Sequence, residues 1–135
     1  MNSILIDTDI IIDHLRGFEP STTFLRRVFQ GEYIGQVSVL TEMELFAGAM
    51  SRKGEKQAIE NLLRCFTSIP VSSSIARRAG QLLRNYRDKG LAPVDAVIAS
   101  TCLDLNAILV TKNVKHFYLV EGLLTLNPYP NESTV

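Results

Sequence analysis

Short, uninterrupted aliphatic runs recur along the chain, and polar or acidic residues follow them. Ile4-Leu5-Ile6 is followed by Asp7, and Ile108-Leu109-Val110 is followed by Thr111. Runs of this length and composition are typical of parallel strands that are covered on both faces. The pattern predicts strands at 3–7, 33–39, 67–71 and 107–111, and a further edge strand at 123–126.

Between these runs, apolar residues return every three or four positions, which is the period of a helix with one buried face. The segments with this period, and the glycines and prolines that bound them, predict helices at 9–16, 20–31, 41–50, 56–66, 75–89 and 93 to about 104, and a short turn at 114–117. Strands that alternate with helices indicate an α/β fold, here a parallel central sheet of four to five strands with helices on both faces. We expect one domain over 1–127 and a flexible C-terminal tail over 128–135.

Composition narrows the function only slightly. Fourteen basic and fourteen acidic residues give a formal net charge of zero, so a nucleic acid would have to be held by a local basic patch. Cys65 and Cys102 lie in apolar helical patterns without metal-type spacing, which predicts buried thiols in a reducing compartment. No run approaches the ~18 apolar residues of a membrane span, and no signal-type segment begins the chain. We therefore expect a cytoplasmic protein without a membrane partner.

Three acids fall where a parallel sheet would gather them. Asp7 ends the first strand, Glu44 lies on the helix after the second, and Asp95 follows Pro93 at the start of the helix before the fourth. The carboxyl ends of parallel strands meet at one edge, where open α/β sheets bind ligands. Glu42 points about 200° away from Glu44 on a helix, so we expect it to face solvent.

Each acid also has a purely structural interpretation. Thr41 to Glu44 matches a capping box, and Asp95 would be stabilised by the helix dipole in the first turn. Asp7 is harder to explain in this way, because a carboxylate after a buried strand is costly unless it is paired. Asp9 and Asp13 are interpreted as a helix cap and a solvated helix position.

If Asp7, Glu44 and Asp95 converge, their mutual repulsion is about 4 kcal/mol for two charges at ~4 Å and an effective dielectric of 20. A cation or bound protons must offset this repulsion. No Cys or His accompanies the acids, and a ligand set of oxygen atoms suits Mg²⁺, with Mn²⁺ as a substitute. Such an ion is commonly used for phosphodiester hydrolysis, in which it activates a water molecule while a carboxylate, Asp95 or Glu44, accepts the water's proton.

Four segments together resemble a known family, and they are Ile6-Asp7-Thr8-Asp9, Thr41-Glu42-Met43-Glu44-Leu45 before Gly48-Ala49, Pro93-Val94-Asp95-Ala96-Val97-Ile98-Ala99, and Leu109-Val110-Thr111-Lys112-Asn113. In order and spacing they are similar to the motifs of PIN domains, and specifically to the VapC-type toxins of bacterial toxin–antitoxin pairs. The resemblance implies a magnesium-dependent endoribonuclease, a homodimer and a neutralising antitoxin. It also implies that Asp7, Glu44 and Asp95 are the catalytic, metal-binding acids, and that Thr111, Asn113 and Asp9 support them.

The chain departs from the family at the fourth motif. Many PIN domains carry another acid at or shortly after the position of Asn113, whereas this chain offers Asn113 and then His116. Because an amide brings no charge, we expect one well-occupied metal site rather than two. Attack by water would leave a 5′-phosphate and a 3′-hydroxyl. If His116 instead activated the 2′-hydroxyl of the RNA, the product would be a cyclic 2′,3′-phosphate.

The substrate is expected to be single-stranded or looped RNA, because a compact site can attack an exposed backbone without reading a groove. Lys112, next to the fourth motif, is the first candidate for a phosphate contact. The other candidates are Arg26, Arg27, Arg77, Arg78, Arg84, Arg87, Lys89 and Lys115.

Two other functions fit parts of the pattern. Thr111-Lys112 gives a slight likeness to a receiver-like phosphoacceptor domain, but the third strand ends at Pro70-Val71-Ser72 without the aspartate that such domains need. A catalytically silent interaction module would fit the missing fourth acid. The RNA target, its cleavage sequence, the antitoxin's identity and any assembly beyond a dimer do not follow from the sequence.

Overall fold

A computed structural model describes residues 2–48 and 53–130, and within these residues it contains one parallel sheet. The strands are β1 (Asn2–Ile6), β2 (Tyr33–Ser38), β3 (Thr67–Ile69), β4 (Ile108–Val110) and β5 (Thr125–Leu126), in the spatial order β3-β2-β1-β4-β5. Every pairing is parallel. The predicted α/β architecture is therefore confirmed.

Seven α-helices and one 3₁₀ turn connect or follow the described strands. The helices are α1 (Thr8–Leu15), α2 (Glu19–Phe29), α3 (Val39–Ala47), α4 (Glu55–Leu63), α5 (Ser73–Tyr86), α6 (Pro93–Leu105) and α7 (Val114–Phe117), and the 3₁₀ turn is Arg87–Lys89. The predicted helix at 41–50 extends past the described residues, because 49–52 lie outside them. None of the described helices is long and apolar enough to cross a membrane.

The core has two halves, one on each face of the sheet. Ile4 and Ile6 of β1 pack with apolar residues of α1, α2, α3 and α4, whereas Leu5 packs with those of α5 and α6. Alternate residues of a strand point to opposite faces, so this continuous aliphatic run fills both halves. All three side chains are fully buried, as expected for a central parallel strand.

Five of the seven described helices begin one or two residues earlier than the sequence indicated, and the capping residues of α1 and α3 show why. Asp7 caps α1, with its Oδ1 accepting a hydrogen bond from the backbone N of Thr8 at 2.9 Å, so the expected cap at Asp9 is wrong. Ser38 caps α3, which leaves Thr41 buried inside the helix and rules out a capping box from Thr41 to Glu44. In both cases a polar residue at the end of a buried strand supplies the cap.

The two cysteines differ from each other. Cys102 on α6 is buried, but Cys65 after α4 is exposed, so the prediction of two buried thiols is wrong for Cys65. Helical spacing alone placed Cys65 in an apolar pattern, yet α4 ends at Leu63 and the chain turns towards β3.

The order of the strands creates a switch point at the centre of the sheet. From β1 the chain moves outward through β2 and β3, and it then returns to place β4 on the opposite side of β1. The crevice between the carboxyl ends of β1 and β4 is therefore where an open α/β sheet binds its ligand. A receiver-like domain has the strand order 2-1-3-4-5 instead, so the observed order contradicts that alternative.

Candidate active site

Asp7 and Thr111 meet across this switch point. The backbone N of Asp7 donates to the carbonyl oxygen of Val110 at 2.9 Å, which fixes the start of the site against the end of β4. The hydroxyl of Thr111, which is fully buried, lies 2.9 Å from Asp7 Oδ2 and donates to it. Two residues that are 104 positions apart in the sequence are thus joined directly, as the parallel arrangement predicted.

Glu44 reaches the same region through Thr8. Thr8 Oγ1 lies 2.7 Å from Glu44 Oε1 and 3.0 Å from Thr41 Oγ1. A hydroxyl has a single proton, so with that proton donated to the charged Glu44, Thr41 donates to Thr8. Because Thr8 directly follows Asp7, this chain of bonds connects α3 to the end of β1. Glu44 therefore faces inward, as predicted.

Glu42 lies on another side of α3. Its Oε2 accepts a hydrogen bond from Ser68 Oγ at 2.7 Å, and the residue is half-buried rather than fully in solvent. The prediction that Glu42 points away from Glu44 therefore holds in direction, but the side chain has a partner on the neighbouring strand β3.

Asp9 belongs to the cluster as an acceptor rather than as a cap. Its Oδ2 accepts hydrogen bonds from the backbone N of Lys112 at 3.2 Å and from Asn113 Nδ2 at 3.1 Å, and Thr111 Oγ1 lies 3.3 Å away. Its other oxygen, Oδ1, is buried and has no hydrogen-bond partner among the described residues. A buried carboxylate oxygen without a partner is unusual in a folded protein.

The negative charges of Asp7, Asp9 and Glu44 repel one another. Burial, together with the charges of Asp9 and Glu44, raises the pKa of Asp7 from its ordinary value of 3.8 to about 6, although bonds from Thr111 and Thr8 act in the opposite direction. Burial also raises the pKa of Asp9. Raised carboxyl pKa values of this origin are typical of sites that bind a cation or move a proton.

Asp95 lies in the first turn of α6 and is half-buried. Its Oδ2 is 3.9 Å from Nδ1 of His116, whose side chain is 60% exposed. The first turns of α6 and α7 thus place Asp95 beside His116. No direct hydrogen bond between Asp95 and the other predicted acids is found among the described residues.

Across residues 2–48 and 53–130, no three His, Cys, Asp or Glu side chains form a ready-made metal site. The ligand atoms are nevertheless chemically suited to a hard cation, because they are carboxylate and hydroxyl oxygens. Asp7 and Glu44 instead bond to Thr111 and Thr8.

Lys112 lies at the edge of the cluster, and its ammonium group is paired. Its Nζ lies 3.1 Å from Asp13 Oδ2, and 42% of the Lys112 side chain is exposed against 15% of that of Asp13. Asp13 is therefore not the solvated helix position that the sequence suggested. Tyr129 also donates to it, at 2.8 Å. The sequence pattern does not predict these contacts of Asp13, because Lys112 belongs to the fourth motif and Tyr129 to the C-terminal segment.

Three of the other basic candidates lie on α5. Arg77, Arg78 and Arg84 are exposed on α5. Helix α5 runs antiparallel to α6, since Ser74 bonds to Asp104 at the end of α6 and the backbone of Tyr86 bonds to that of Leu91 just before its start. The C-terminal end of α5 therefore lies at the same edge of the sheet as the acidic cluster. Arg27, by contrast, is paired with Glu32.

A cavity of about 430 Å³ opens on one side of the cluster, between α1, α3 and α4. Glu44 is one of its lining residues, together with Ile12, Leu15, Leu45 and Ile59. Glu44 thus lies at the boundary between the acidic crevice and a cavity whose lining also contains the charged residues Arg16, Lys53 and Glu55.

This architecture, with acids at the switch point of a parallel α/β sheet, agrees with the family that the sequence matches. Residues 4–123 match the PIN domain, and the chain belongs to the PIN domain family. The chain is 41% identical over 123 residues to Ribonuclease VapC19 of Mycobacterium tuberculosis, an alignment that covers 88% of this chain and 95% of the relative. It is 36% identical over 124 residues to Ribonuclease VapC10 of the same organism, covering 89% and 90%.

A solved structure described as a toxin–antitoxin complex from Klebsiella pneumoniae has the same fold. Its TM-score is 0.79 at 29% sequence identity, covering 95% of this chain and 99% of that chain. The family that the four motifs indicated is therefore confirmed by both sequence and structure.

Proposed function

We propose that this protein is a divalent-cation-dependent endoribonuclease that acts as the toxin of a toxin–antitoxin pair. The single observation that carries the proposal is the meeting of Asp7 and Thr111 across the β1/β4 switch point, with Glu44 tied to it through Thr8. A structural role does not explain why Asp9 and Glu44 lie where burial, together with their charges, raises the pKa of Asp7. The similarity to two ribonucleases supports RNA as the substrate.

The chemistry of the ligand atoms favours Mg²⁺, with Mn²⁺ as a substitute. Asp7, Glu44 and Asp95 are the proposed ligands, and they offer oxygen atoms alone. Asp9 adds a buried oxygen without a partner among the described residues. An ionised carboxylate has about four lone-pair sites, so Asp7 and Glu44 can bind an ion while they keep their bonds from Thr111 and Thr8. When bound, the cation supplies Lewis acidity and lowers the pKa of coordinated water.

The side chains of this protein have separate roles in the proposed reaction. Thr111 and Thr8 orient Asp7 and Glu44, and Asp95 or Glu44 accepts the proton of the attacking water. In-line attack then leaves a 5′-phosphate and a 3′-hydroxyl. Asn113 directs its amide nitrogen to Asp9, which supports one ion rather than two, because that side chain acts as a donor there.

The partners follow from the same similarity. The Klebsiella pneumoniae structure is a toxin–antitoxin complex, and we propose that a cognate antitoxin likewise neutralises this protein, that the toxin is a homodimer and that it acts in the cytoplasm. Single-stranded RNA is the proposed substrate. The exposed Arg84 in the last turn of α5 and Arg87 just after it offer the RNA a path beside the site.

A catalytically silent interaction module is the second candidate. Two observations favour it, namely Asn113 in place of an acid and the absence, among the described side chains, of three ligands arranged around one point. Cleavage assays distinguish it from the nuclease, because a silent module would cut no RNA while still binding its partner.

The test is cleavage of a 5′-labelled, single-stranded RNA by the purified protein in Mg²⁺ and in EDTA. We expect cleavage in Mg²⁺ alone, 3′-hydroxyl ends on the 5′-labelled fragments, and a loss of at least about 100-fold in rate for Glu44→Gln, since general acid–base groups contribute about 10²- to 10⁴-fold. Glu121→Gln, at an exposed residue far from the cluster in sequence, is the matched control. Equal cleavage by Glu44→Gln and the wild type would refute the assigned site, and cyclic phosphate ends would refute the water mechanism.

A further inference from the structure

The segment that follows β5 returns to the face of α1 next to the acidic cluster. Tyr129 Oη donates to Asp13 Oδ2 at 2.8 Å. The Tyr129 ring also packs edge-on against Phe18, with ring centroids 5.0 Å apart, and its backbone N donates to Asn127 Oδ1 at 3.0 Å. Tyr129 lies in the segment that the sequence predicted to be a flexible tail. Its side chain is nevertheless half-buried, and the residue makes all of these contacts.

Asp13, which accepts the bond from Tyr129, also binds the ammonium group of Lys112. The ammonium nitrogen of Lys112 lies 3.2 Å and 3.1 Å from the two carboxylate oxygens of Asp13. The backbone N of Lys112 donates to Asp9 Oδ2 at 3.2 Å. Asp9 and Asp13 are one turn apart on α1, and residues four apart share a helix face. Two acids of one helix therefore hold Lys112 at its backbone and at its ammonium group.

The position of Lys112 beside the acids indicates what this arrangement can do. Asp7, Asp9, Glu44 and Asp95 repel the phosphates of any RNA that approaches. An ammonium group has three donors, and the two Asp13 oxygens engage two of them. One donor remains for an outside acceptor, and 42% of the lysine side chain is exposed. Because the lysine is already ordered, it loses less conformational entropy when it meets a phosphate.

We propose that Tyr129 and Asp13 are positioning residues that hold the ammonium group of Lys112 where it contacts a backbone phosphate of single-stranded RNA beside the cleaved bond. The inference rests on the proposed ribonuclease function and adds to it a role for the segment beyond β5. Tyr129 acts through Asp13 and Lys112, and it touches neither the RNA nor the acids that perform the chemistry.

Tyr129→Phe is the sharpest perturbation, because it removes one hydroxyl, changes no charge and keeps the ring that packs on Phe18. The readout is the dissociation constant of a fluorescein-labelled single-stranded RNA, measured by anisotropy in EDTA so that the RNA stays intact. We expect Lys112→Gln to weaken binding by about 5- to 10-fold and to reduce the slope of log K against log salt by about 0.7, the value for one phosphate contact on a single strand.

Tyr129→Phe should weaken binding by about 3-fold, a smaller effect because the lysine is retained but no longer fixed. In the Lys112→Gln background the same change should have no further effect, since positioning matters only if there is an ammonium group to position. Tyr118→Phe is the matched control, because Tyr118 is 72% exposed. The thermal midpoints of all variants are measured in parallel.

Three results would overturn the proposal. The first is wild-type affinity in Tyr129→Phe, and the second is the same loss in the presence and absence of Lys112, which would indicate a purely structural role. The third is an unchanged salt slope in Lys112→Gln. The proposed function fails separately: if the wild type neither binds nor cuts RNA, both proposals fall, whereas a wild type that cuts RNA beside an unaffected Tyr129→Phe removes this inference alone.

Discussion

Replacing Asp7 by Asn should make the metal-free protein more stable, although the change removes a proposed catalytic residue. Burial and the charges of Asp9 and Glu44 make the ionised form of Asp7 unfavourable in the folded state. An asparagine side chain at this position would have nearly the same shape as a protonated aspartic acid. Its Oδ1 can still accept from the backbone N of Thr8, and its amide can donate to the hydroxyl of Thr111, which then donates to Asp9.

The size of the effect follows from the pKa of Asp7, which rises from 3.8 to about 6. Each tenfold change in an ionisation constant is worth about 1.4 kcal/mol, so the full rise corresponds to about 3 kcal/mol. Allowing for water that reaches the half-buried side chain, we expect a gain of about 2 to 3 kcal/mol, or about 6 to 9 °C in the thermal midpoint of a domain of this size.

The direction of the pKa shift of Asp7 determines how the stability of the protein depends on pH. The pKa of Asp7 is higher in the folded state than in the unfolded chain, so the unfolded chain ionises first as the pH rises. The loss of stability caused by Asp7 therefore grows between about pH 4 and pH 7 and then stays constant. Below pH 4 the residue is protonated in both states and costs nothing. The difference in stability between Asp7→Asn and the wild type should therefore be small at pH 4, should grow through pH 6 and should be constant above about pH 7.

The assay is urea unfolding in EDTA, followed by circular dichroism at several pH values from 4 to 8. Asp88→Asn is the control, because Asp88 is an exposed carboxylate in the 3₁₀ turn, and it should change the stability by less than about 0.5 kcal/mol. Two results would refute the claim that burial and neighbouring negative charges disfavour the ionised form of Asp7. One is a variant that is less stable than the wild type at pH 7.5, and the other is a difference in stability that does not depend on pH.

Three further predictions test the local structure. Thr111→Val removes the buried hydroxyl between Asp7 and Asp9, and it should cost about 1 to 3 kcal/mol in urea unfolding; an unchanged midpoint would contradict the bond. Gly35→Ala places a Cβ atom 2.7 Å from Val28 Cγ1, and it should cost about 1 to 3 kcal/mol through overpacking; a neutral effect would show that the contact relaxes freely. A thiol reagent at pH 8 should label Cys65, which is exposed, before Cys102, whose burial and whose proximity to the charge of Asp7 raise its pKa to about 12; equal labelling in the folded protein would contradict this difference.

Much of the site could be predicted from the sequence, because its geometry follows from the periodicity of the elements. Once β1 is recognised as a parallel strand, Asp7 must lie at the carboxyl edge of the sheet, and the helix period of α3 separates Glu44 from Glu42. The bonds from Thr111 to Asp7 and from Thr8 to Glu44 agree with that inference. Both conclusions need only local pattern and a rule of sheet topology.

Other features could not be predicted, because they depend on contacts between distant parts of the chain. Asp13 looks like any polar helix residue until Lys112 and Tyr129 are brought against it. The earlier starts of α1 and α3 have a different cause. Asp7 directly follows β1 and Ser38 ends β2, and each of them also caps the next helix, whereas a sequence pattern assigns such a residue to one role only.

The chain's neutral overall charge also conceals a local asymmetry. The segment from 72 to 90 contains five basic residues and one acid, so it carries a net charge of +4 and leaves −4 for the remaining residues. Helix α5 supplies three of these cations, and none of them forms an ion pair with a described carboxylate. The segment from 72 to 90 is therefore a candidate for the local basic patch that a neutral chain would need to hold a nucleic acid.

The central claim is that acids remote in the sequence bind one divalent cation at the β1/β4 switch point. Electron paramagnetic resonance of Mn²⁺ titrated into the purified protein tests this claim most directly, because free and bound Mn²⁺ are distinguished without any RNA. We predict one bound Mn²⁺ per chain, displaced by Mg²⁺, and an affinity that is at least about 10-fold weaker in Asp7→Asn and in Glu44→Gln, as for the loss of a charged ligand. Binding of equal strength in the wild type and in both variants would contradict the claim.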